Sequence, residues 1–442
     1  MPGIPRLRRI FGTAALAREF AGQARFAFRP LPAIRHAQSR RIRAMVEHAW
    51  RTVPFWREAM RERGLAPRDF RGEADLARLP VVERSDLQRD PDRFRSTAFR
   101  DADLLALRSG GSTGEPITVR HDTGSLLANA AHGERERSIW AGSRVPRFGY
   151  REAVVVPPFN AAIEVQRFCR ERAWLPARAD IDRRYLSMLD PIDEVIAALD
   201  DFRPHIVHSY GSFLEALFAR VEATGAPFHR PALVTYSSDG MSESARARIA
   251  GGFGVPVFCT YQAVEMFKIG FECEAHDGVH VNIDLYPLRL DADGTVIVSN
   301  LVNRATVLLN YRLADVVAPI DARCPCGRTL PRITRPQGRS VEFLPAPDGG
   351  VVHPQAIRTI FTAERGVWQY QVDQIEPARF VVRVVAAADC DRAAAARRIG
   401  EGFAHWFGSG AAVDVRYVDA LERTAGGKLR PIRALSPAPP TP

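Results

Sequence analysis

The stretch Arg108-Ser-Gly-Gly-Ser-Thr-Gly-Glu-Pro-Ile-Thr118 is a short loop of glycines and hydroxyl side chains that follows the apolar run Leu104 to Leu107. Glycines allow backbone N–H groups to turn inward, because no Cβ is in the way. The loop has three of them: Gly110, Gly111 and Gly114. Further donors are the hydroxyls of Ser109, Ser112 and Thr113. Such a loop can surround an anion, with phosphate the obvious candidate.

The loop differs from a Walker loop, since it lacks the final Gly-Lys-Ser/Thr and continues instead with Glu115 and Pro116. Taken alone, it fits a plain turn as well as it fits a phosphate cradle. The rest of the chain must therefore decide between these alternatives.

The composition is that of a globular protein. With 442 residues, 46% of them hydrophobic, the chain predicts two or three domains. Its net charge is +10, but the basic residues are scattered, and we find no RNA-binding signature or zinc-finger spacing, so we predict no nucleic-acid partner. We also predict no membrane span, no secretory signal and a cytoplasmic location. The sequence leaves open whether the chain forms a homodimer.

Residues 1–70 predict a mostly helical lobe, with apolar residues at helical spacing in Ile42, Met45, Val46 and Trp50. We favour a solvated charged face over this lobe. The alternative is that residues 1–30 form an amphipathic surface for a membrane or a partner, but Arg18 and Arg25 interrupt its apolar face.

Between about 115 and 300, short β-rich runs alternate with helical ones, which predicts a layered α/β domain with much parallel sheet. Residues 208–212 and 236–240 follow two such strands, where ligands of α/β sheets usually bind, although turn and cap chemistry also explains them. A small α+β domain is predicted beyond about 340, from a strand at 380–385, a helix at 392–407 and a strand at 413–418. The predicted domains are thus 1–338 and a small domain at 339–434, with a disordered tail at 435–442.

Five motifs follow one another along the chain: the loop at 108–118, Tyr261-Gln-Ala-Val-Glu265, Tyr311-Arg-Leu-Ala-Asp315, Gly338-Arg339 and Arg423-Thr-Ala-Gly-Gly-Lys428. Together they resemble the adenylate-forming superfamily, and within it the branch of phenylacetate-CoA ligases and capsule-biosynthesis adenylating enzymes. Similarity to that branch also includes three further segments, at residues 48–57, 79–81 and 324–333.

The resemblance implies that the domain at 1–338 binds ATP, Mg2+ and the acid, and that the small domain at 339–434 is mobile. The glycine and hydroxyl loop (Ser109, Gly110, Gly111, Ser112, Thr113, Gly114) would hold the β- and γ-phosphates. Tyr261 would lie along the adenine, Glu265 would bind Mg2+ and Asp315 would bind the ribose hydroxyls. Arg339 would stand at the hinge, and Asp239 in another nucleotide-binding loop. Lys428 would reach the α-phosphate and the substrate carboxylate. It is one of only two lysines among 61 basic residues, the other being Lys268, for which we favour chance survival.

The implied function is an ATP-dependent ligase that forms an acyl-adenylate from a small-molecule carboxylic acid and then an acyl thioester of coenzyme A. We expect an aromatic or apolar acid, bound near Phe159, Tyr210 and Tyr236. One alternative is an adenylyltransferase or amide-forming ligase in polysaccharide or natural-product assembly. Another is a degenerate nucleotide-binding scaffold, suggested by three departures from the family pattern: Glu115, Val264 and Val341.

The cysteines suggest a structural zinc site rather than disulfides. Cys273 and His276 form a Cys-x2-His pair, and Cys324 and Cys326 form a Cys-x-Cys pair, which together supply four ligands suited to Zn2+. His280 is a competing candidate for the histidine. Two pairs of reduced structural thiols are the alternative.

Overall fold

A computed structural model of the protein describes residues 6–108, 117–146, 148–174, 181–336, 344–348, 351–352, 354–423 and 429–435. The predicted phosphate loop at 109–116, the hinge residue Arg339 and Lys428 lie outside the described residues, as does most of the predicted tail.

The α-helices of the described residues are α1 (Arg6–Phe20), α2 (Gln23–Phe26), α3 (Leu31–Thr52), α4 (Pro54–Glu62), α5 (Glu73–Leu76), α6 (Arg84–Arg89), α7 (Thr123–Arg137), α8 (Ala161–Arg172), α9 (Ile192–Phe202), α10 (Gly211–Thr224), α11 (Glu243–Gly252), α12 (Pro354–Thr362) and α13 (Arg392–Phe407).

The strands of the same residues are β1 (Leu104–Arg108), β2 (Thr118–Asp122), β3 (Arg151–Val156), β4 (Asp182–Ser187), β5 (Ile206–Tyr210), β6 (Leu233–Ser237), β7 (Val257–Ala263), β8 (Phe267–Glu272), β9 (Val279–Val281), β10 (Leu288–Leu290), β11 (Thr295–Val298), β12 (Tyr311–Val316), β13 (Pro319–Ile320), β14 (Arg332–Ile333), β15 (Leu344–Pro345), β16 (Val351–Val352), β17 (Val367–Glu376), β18 (Arg379–Ala386), β19 (Ala412–Tyr417) and β20 (Ile432–Arg433).

The chain divides into two compact units, each built from separated segments. The first contains Met1–Glu152, Pro158–Tyr185 and Phe258–Arg339. The second contains Ala153–Pro157, Leu186–Val257 and Ser340–Pro442. The division predicted from the sequence, at residue 338, stays a prediction about which part of the chain moves.

The first unit is built on antiparallel strands. Its largest set runs in the order β13, β14, β9, β8, β7, and a second set contains β10, β11 and β12. Strands β1 and β2 pair separately, from Leu104↔Asp122 to Arg108↔Thr118. These two strands therefore flank the segment 109–116, which holds the predicted phosphate loop.

Helix α7 carries a buried charge network into the first unit. It begins after Asp122, whose carboxylate accepts the N–H of Ser125 at 2.9 Å, a standard way to satisfy a free donor at a helix start. Near its end, Arg135 donates two hydrogen bonds, of 2.8 and 2.9 Å, to Asp284, and both side chains are fully buried. Further bonds from Arg135 to Gln23 and Asn282 keep the buried guanidinium paired.

The second unit contains a parallel pair of strands, β5 and β6, in the register Ile206↔Leu233 to Tyr210↔Ser237. Helix α10 begins directly after β5, and α11 follows β6 after a short loop. Parallel strands followed by helices are the pattern that the sequence predicts for this region.

The C-terminal part of the second unit has its own core. Its sheet has the order β19, β18, β17, β20, with β18 and β19 parallel and joined by α13. Apolar residues of α12 and α13 pack on the sheet, with Phe361, Phe380, Phe403 and Phe407 at the centre. Hydrogen bonds join β17 to α10 and α11, among them Ser244 Oγ to the Val367 carbonyl at 2.9 Å.

Within the described part of the chain, no helix has both the length and the apolar composition needed to cross a bilayer.

Candidate active site

Two tyrosine–carboxylate pairs form the centre of the candidate site in the first unit. Tyr261 donates a hydrogen bond of 2.8 Å to Asp315, and Tyr311 donates one of 3.2 Å to Glu265. In each motif the tyrosine comes first and the carboxylate four residues later. Because the first residue of each motif contacts the last residue of the other, the two motifs run side by side in opposite directions. The structure thus brings together three residues to which the resemblance assigns the adenine, Mg2+ and ribose roles.

The backbone around these pairs is strained. Ala314, which precedes Asp315, has φ of 62°, and Asn310, which precedes Tyr311, has φ of 49°. Phe267, two residues after Glu265, has φ of 65°. Left-handed conformations are unfavourable for residues with a Cβ, and they concentrate at functional sites, where the surroundings hold them in place.

Glu265 is held from several sides. Its side chain is only 3% exposed, and its backbone carbonyl accepts a hydrogen bond of 2.9 Å from Asn300. The guanidinium of Arg84 lies 3.7 Å from the same carboxylate oxygen that Tyr311 contacts. Arg84 and Tyr311 have no role predicted from the sequence. Tyr311 lies in one of the quoted motifs, whereas Arg84 carries no signal beyond its position at the start of a helix.

Asp239, in the second unit, accepts from the first free donors of α10. The Ser212 N–H donates to its carboxylate at 3.2 Å, and the Ser212 hydroxyl donates to the other oxygen. Gly211 makes this approach feasible, because a Cβ there would lie 2.5 Å from the Gly240 carbonyl oxygen. Asp239 therefore stabilises a helix N-terminus, and its nucleotide role stays a prediction.

A buried cluster extends from this helix start to the C-terminal segment of the second unit. Arg423 donates to the hydroxyl and the carbonyl of Ser212, each at 2.6 Å. Gln369 donates to Glu215 at 2.9 Å and to the same carbonyl at 2.6 Å. Arg423 belongs to the motif that ends at Lys428, so these contacts anchor the chain five residues before the predicted catalytic lysine.

The buried charges of this cluster have shifted pKa values. Burial raises the pKa of Glu215 to about 7, against hydrogen bonds from Ser242 and Gln369 that lower it. Burial lowers the pKa of Arg423 from its ordinary value, although the Asp239 and Glu215 carboxylates oppose that shift. The sequence contained no signal for Glu215, which lies on a helix among apolar residues.

The residues expected near the acid differ in their surroundings. Tyr210 and Tyr236 are buried, and they lie at the C-terminal ends of the paired strands β5 and β6. Phe159 lies in the first unit and is exposed. Their contribution to an acid pocket stays a prediction.

Four potential metal ligands meet in the first unit: Cys273, His280, Cys324 and Cys326, whose ligand atoms all lie within 4.8 Å of one another. The sulfurs of Cys273 and Cys324 are 3.5 Å apart, and the Cys326 sulfur is 3.4 Å from His280 Nε2. A tetrahedral zinc with Zn–S bonds of about 2.3 Å places its ligand atoms roughly 3.5–3.8 Å apart. These distances therefore fit a tetrahedral zinc centre.

The histidine of this cluster is His280, which replaces His276 in the predicted set. His276 lies in a turn with φ of 52°, and its Nδ1 is 3.2 Å from the Glu272 carboxylate. His280 lies in the short strand β9, and its Nδ1 is 3.1 Å from the Leu330 carbonyl. A carbonyl only accepts, so Nδ1 carries the proton and Nε2 presents its lone pair to the cysteines.

Protonation of the cluster is consistent with metal ligation. Burial lowers the pKa of His280 to about 4, so the imidazole is neutral at pH 7. For Cys326, burial acts to raise the pKa, but hydrogen bonds from Arg328 outweigh it and leave the thiol pKa below its ordinary value. Burial raises the pKa of Cys273 and Cys324, so without a cation these two thiols stay protonated at neutral pH.

Comparison with known families and proteins gives consistent results. Residues 344–434 match the CapK C-terminal domain family. The phenylacetate-coenzyme A ligase of Thermus thermophilus is 24% identical over 353 residues, which cover 76% of this chain and 76% of that protein. The enzyme of the same name from Aromatoleum evansii is 24% identical over 332 residues, covering 70% of this chain and 71% of its own length.

Among solved structures, 2-hydroxyisobutyryl-CoA ligase in the postadenylation state superposes with a TM-score of 0.73 at 17% identity, covering 90% of this chain and 88% of that one. This similarity confirms the predicted α/β fold. Together with the two relatives, it also confirms the resemblance inferred from the order of the motifs.

Proposed function

Because the chain has the fold of the adenylate-forming acyl-CoA ligases and resembles phenylacetate-CoA ligases over three quarters of its length, we propose that it is an AMP-forming acid–thiol ligase. In this reaction a carboxylic acid attacks the α-phosphate of ATP, pyrophosphate leaves, and a thiol then displaces AMP from the acyl-adenylate. The observation that carries the proposal is the pair of hydrogen bonds Tyr261–Asp315 and Tyr311–Glu265.

In the proposed mechanism these residues bind and orient ATP. Asp315, oriented by the Tyr261 hydroxyl, accepts hydrogen bonds from the ribose, while the ring of Tyr261 lies along the adenine. Glu265 supplies one carboxylate ligand to Mg2+, a hard cation that commonly takes one or two carboxylates and completes its shell with phosphate oxygens and water. The bound ion would neutralise charge on the phosphates. The single buried carboxylate of Glu265 fits that ligand requirement.

The remaining roles fall on residues outside the described ones. We propose that the loop at 109–114 holds the phosphates, that Arg339 lies at the hinge and that Lys428 neutralises charge between the acid and the α-phosphate. Such interactions stabilise the transition state mainly by positioning and electrostatics. Coenzyme A is the proposed thiol, and an aromatic or apolar acid the proposed substrate.

The first experiment is an ATP–pyrophosphate exchange screen across a library of carboxylic acids. Acid-dependent exchange is expected with at least one aromatic or apolar acid. Glu265→Gln should raise the Mg2+ concentration needed for half-maximal exchange, while an unchanged Mg2+ dependence would contradict its role. No exchange with any acid would instead favour the nucleotide-binding scaffold.

The two half-reactions separate the role of Lys428 from a general loss of structure. Lys428→Ala should slow adenylation by about 100-fold or more, a few kcal/mol of transition-state stabilisation, and Lys428→Arg should restore it poorly. Thioester formation from a supplied acyl-adenylate should survive in both variants. An Ala variant that adenylates at the wild-type rate, or that loses both half-reactions equally while folded, would contradict the assignment.

A second candidate function is an adenylating enzyme that transfers the acyl group to an amine or acts in polysaccharide assembly. The match of residues 344–434 to the CapK C-terminal domain is the observation that favours it. Product analysis with one accepted acid, ATP and either coenzyme A or a panel of amines distinguishes the two. A thioester as the sole product supports the ligase, and an amide formed without coenzyme A supports the second candidate.

We also propose that Cys273, His280, Cys324 and Cys326 hold a structural zinc ion, supported by the ligand distances and by the tautomer of His280. Closed tetrahedral sites of this kind contribute to folding. Metal analysis of untagged protein should find one zinc per chain. The proposal is wrong if the purified protein contains no zinc and if thiol and imidazole reagents modify all four ligands freely. A cytoplasmic location and a homodimer stay predictions.

A further inference from the structure

Helix α1 presents its large apolar side chains to solvent. Leu7, Ile10 and Phe11 are 66%, 50% and 72% exposed. They occupy one stripe of the helix, at the spacing of i, i+3 and i+4, and the exposed Ala14 continues it by one turn. A helix that packs on a core normally turns such a stripe inward. The outward stripe of α1 is therefore a contiguous apolar surface of the kind that marks an interaction site.

The opposite side of α1 is firmly attached to the first unit. Gly12 lies so close to α8 that a Cβ at this position would be 2.0 Å from the Arg172 carbonyl oxygen. The hydroxyl of Thr13 accepts the N–H of Trp174 at 2.8 Å. Because the small residues face inward and form these contacts, rotation of α1 to bury Leu7 and Phe11 would remove them. The apolar stripe is thus fixed in its outward orientation.

Positive charge surrounds this stripe. Residues 1–30 contain six arginines and a single glutamate. Arg18 extends the stripe at its C-terminal end; its side chain is 80% exposed and lies 3.3 Å from the Glu19 carboxylate. Arg25 and Arg29 are exposed just beyond. By its position in the sequence, Arg18 interrupts an apolar face. In the structure it lies at the end of that face, where a long basic side chain can reach toward anions.

A groove next to α1 adds further arginines. It has a volume of about 460 Å³ and is lined by three arginines and one glutamate, together with three uncharged residues: Arg9, Arg167, Arg170, Glu171, Ile163, Gln166 and Tyr185. The guanidinium of Arg9 lies 4.9 Å over the ring of Trp174, which is itself partly exposed. Aromatic rings and arginines at the edge of an apolar surface are typical of helices that lie in a membrane interface.

We propose that α1 binds the surface of an anionic lipid bilayer, with Leu7, Ile10 and Phe11 inserted among the lipids and the arginines in contact with headgroup phosphates. The helix lies in the plane of the interface, with its apolar side buried to a depth of roughly 5–10 Å. Charge repulsion argues against a second copy of the chain as the partner that covers this stripe. Two copies meeting through this face would bring together two sets of six arginines, with one glutamate in each.

Vesicle sedimentation tests the proposal with the full-length protein and two lipid compositions, phosphatidylcholine alone and phosphatidylcholine with roughly one third phosphatidylglycerol. The protein is expected to bind the anionic vesicles and to be released by high salt, since salt screens exposed charges. Phe11→Ser should lower the partition coefficient by about tenfold, as one large apolar side chain is lost from the interface. Arg18→Gln should lower it by about fivefold on anionic vesicles only.

The matched control is Ile375→Ser, which removes an exposed apolar side chain from β17 in the second unit. It should leave vesicle binding unchanged, and thermal unfolding of all variants should show that they are folded. The proposal is wrong if wild-type protein does not bind anionic vesicles, or if Phe11→Ser binds them as wild type does. A wild-type dimer that Phe11→Ser dissociates in sedimentation velocity would also overturn it, because the stripe would then join two copies.

Discussion

Glu215 should make the second unit less stable as the pH rises from 5 to 8. Burial raises the pKa of this carboxyl from 4.5 to about 7. A carboxyl with a raised pKa contributes stability that is full below the pKa of the unfolded chain and is lost as the pH rises through the pKa of the folded protein. Between pH 5 and pH 8 these two values correspond to a loss of about 2.5 kcal/mol in the free energy of unfolding.

The variant Glu215→Gln removes this titration. Its amide must face the Gln369 amide and the Ser242 N–H, which changes stability by a constant amount at every pH. Only the pH-dependent part of the stability difference between variant and wild type therefore reports the titration of Glu215. For a unit of this size, about 2.5 kcal/mol corresponds to roughly 5–10 °C in the midpoint of thermal unfolding.

Calorimetry of the wild type and Glu215→Gln at pH 5, 6, 7 and 8 measures the effect. The difference in midpoint, variant minus wild type, should increase steadily with pH, because every other titrating group is shared and cancels. Glu401→Gln, which removes an exposed carboxylate from α13 of the same unit, is the control and should show a constant difference. A constant difference for Glu215→Gln as well would refute the reasoning that burial shifts this carboxyl.

Three further outcomes are expected. In ATP titrations, Asp315→Ala should raise the KM for ATP by about tenfold or more, because charge-assisted hydrogen bonds to the ribose are lost. Tyr261→Phe removes only the hydrogen bond of 2.8 Å that orients the carboxylate, so its KM should rise less. An equal KM in the wild type and both variants would argue against a ribose site. His280→Ala should lose zinc in metal analysis, and the matched variant His276→Ala should keep it; the reverse result would restore the ligand set predicted from the sequence. Arg135→Ala should lower the free energy of unfolding by about 3–5 kcal/mol in denaturant titrations, because the Asp284 carboxylate stays buried without a counter-charge. A loss below about 1 kcal/mol would mean that this carboxylate is not buried and charged.

Elements with strong periodicity could be predicted from the sequence. The predicted helix at 392–407 agrees with α13 at both ends. Ile399, Phe403 and Phe407 recur every four residues and form the buried face, and Asp391 caps the first turn by accepting the Ala394 N–H at 3.0 Å. The grouping of Glu265 with Asp315 was also predictable, because the resemblance to the adenylate-forming superfamily assigns both residues to one nucleotide site.

The histidine of the cysteine cluster could not be chosen from spacing alone. A Cys-x2-His pair selects His276, but the direction of a side chain depends on the backbone that carries it. His276 adopts a left-handed φ in a turn and is directed toward Glu272. His280 pairs across β9 with Phe271 and Arg332, and this register directs its ring to Cys326. Strand register arises from contacts across the sheet, which a local pattern does not contain.

The rarity of lysine has a different explanation at each of its two positions. Lys268 was attributed to chance, yet its ammonium lies 2.6 Å from the Glu136 carboxylate in a largely buried site. Its Cε is 3.6 Å from the position of a Cβ on Gly133, so α7 passes close to the lysine stem. A branched, planar guanidinium is wider than an ammonium and needs more donors satisfied, which this narrow space between α7 and β8 does not offer. Packing thus accounts for Lys268. Retention of a lysine can therefore indicate catalysis only at Lys428, whose role rests on the motif and on the half-reaction experiment.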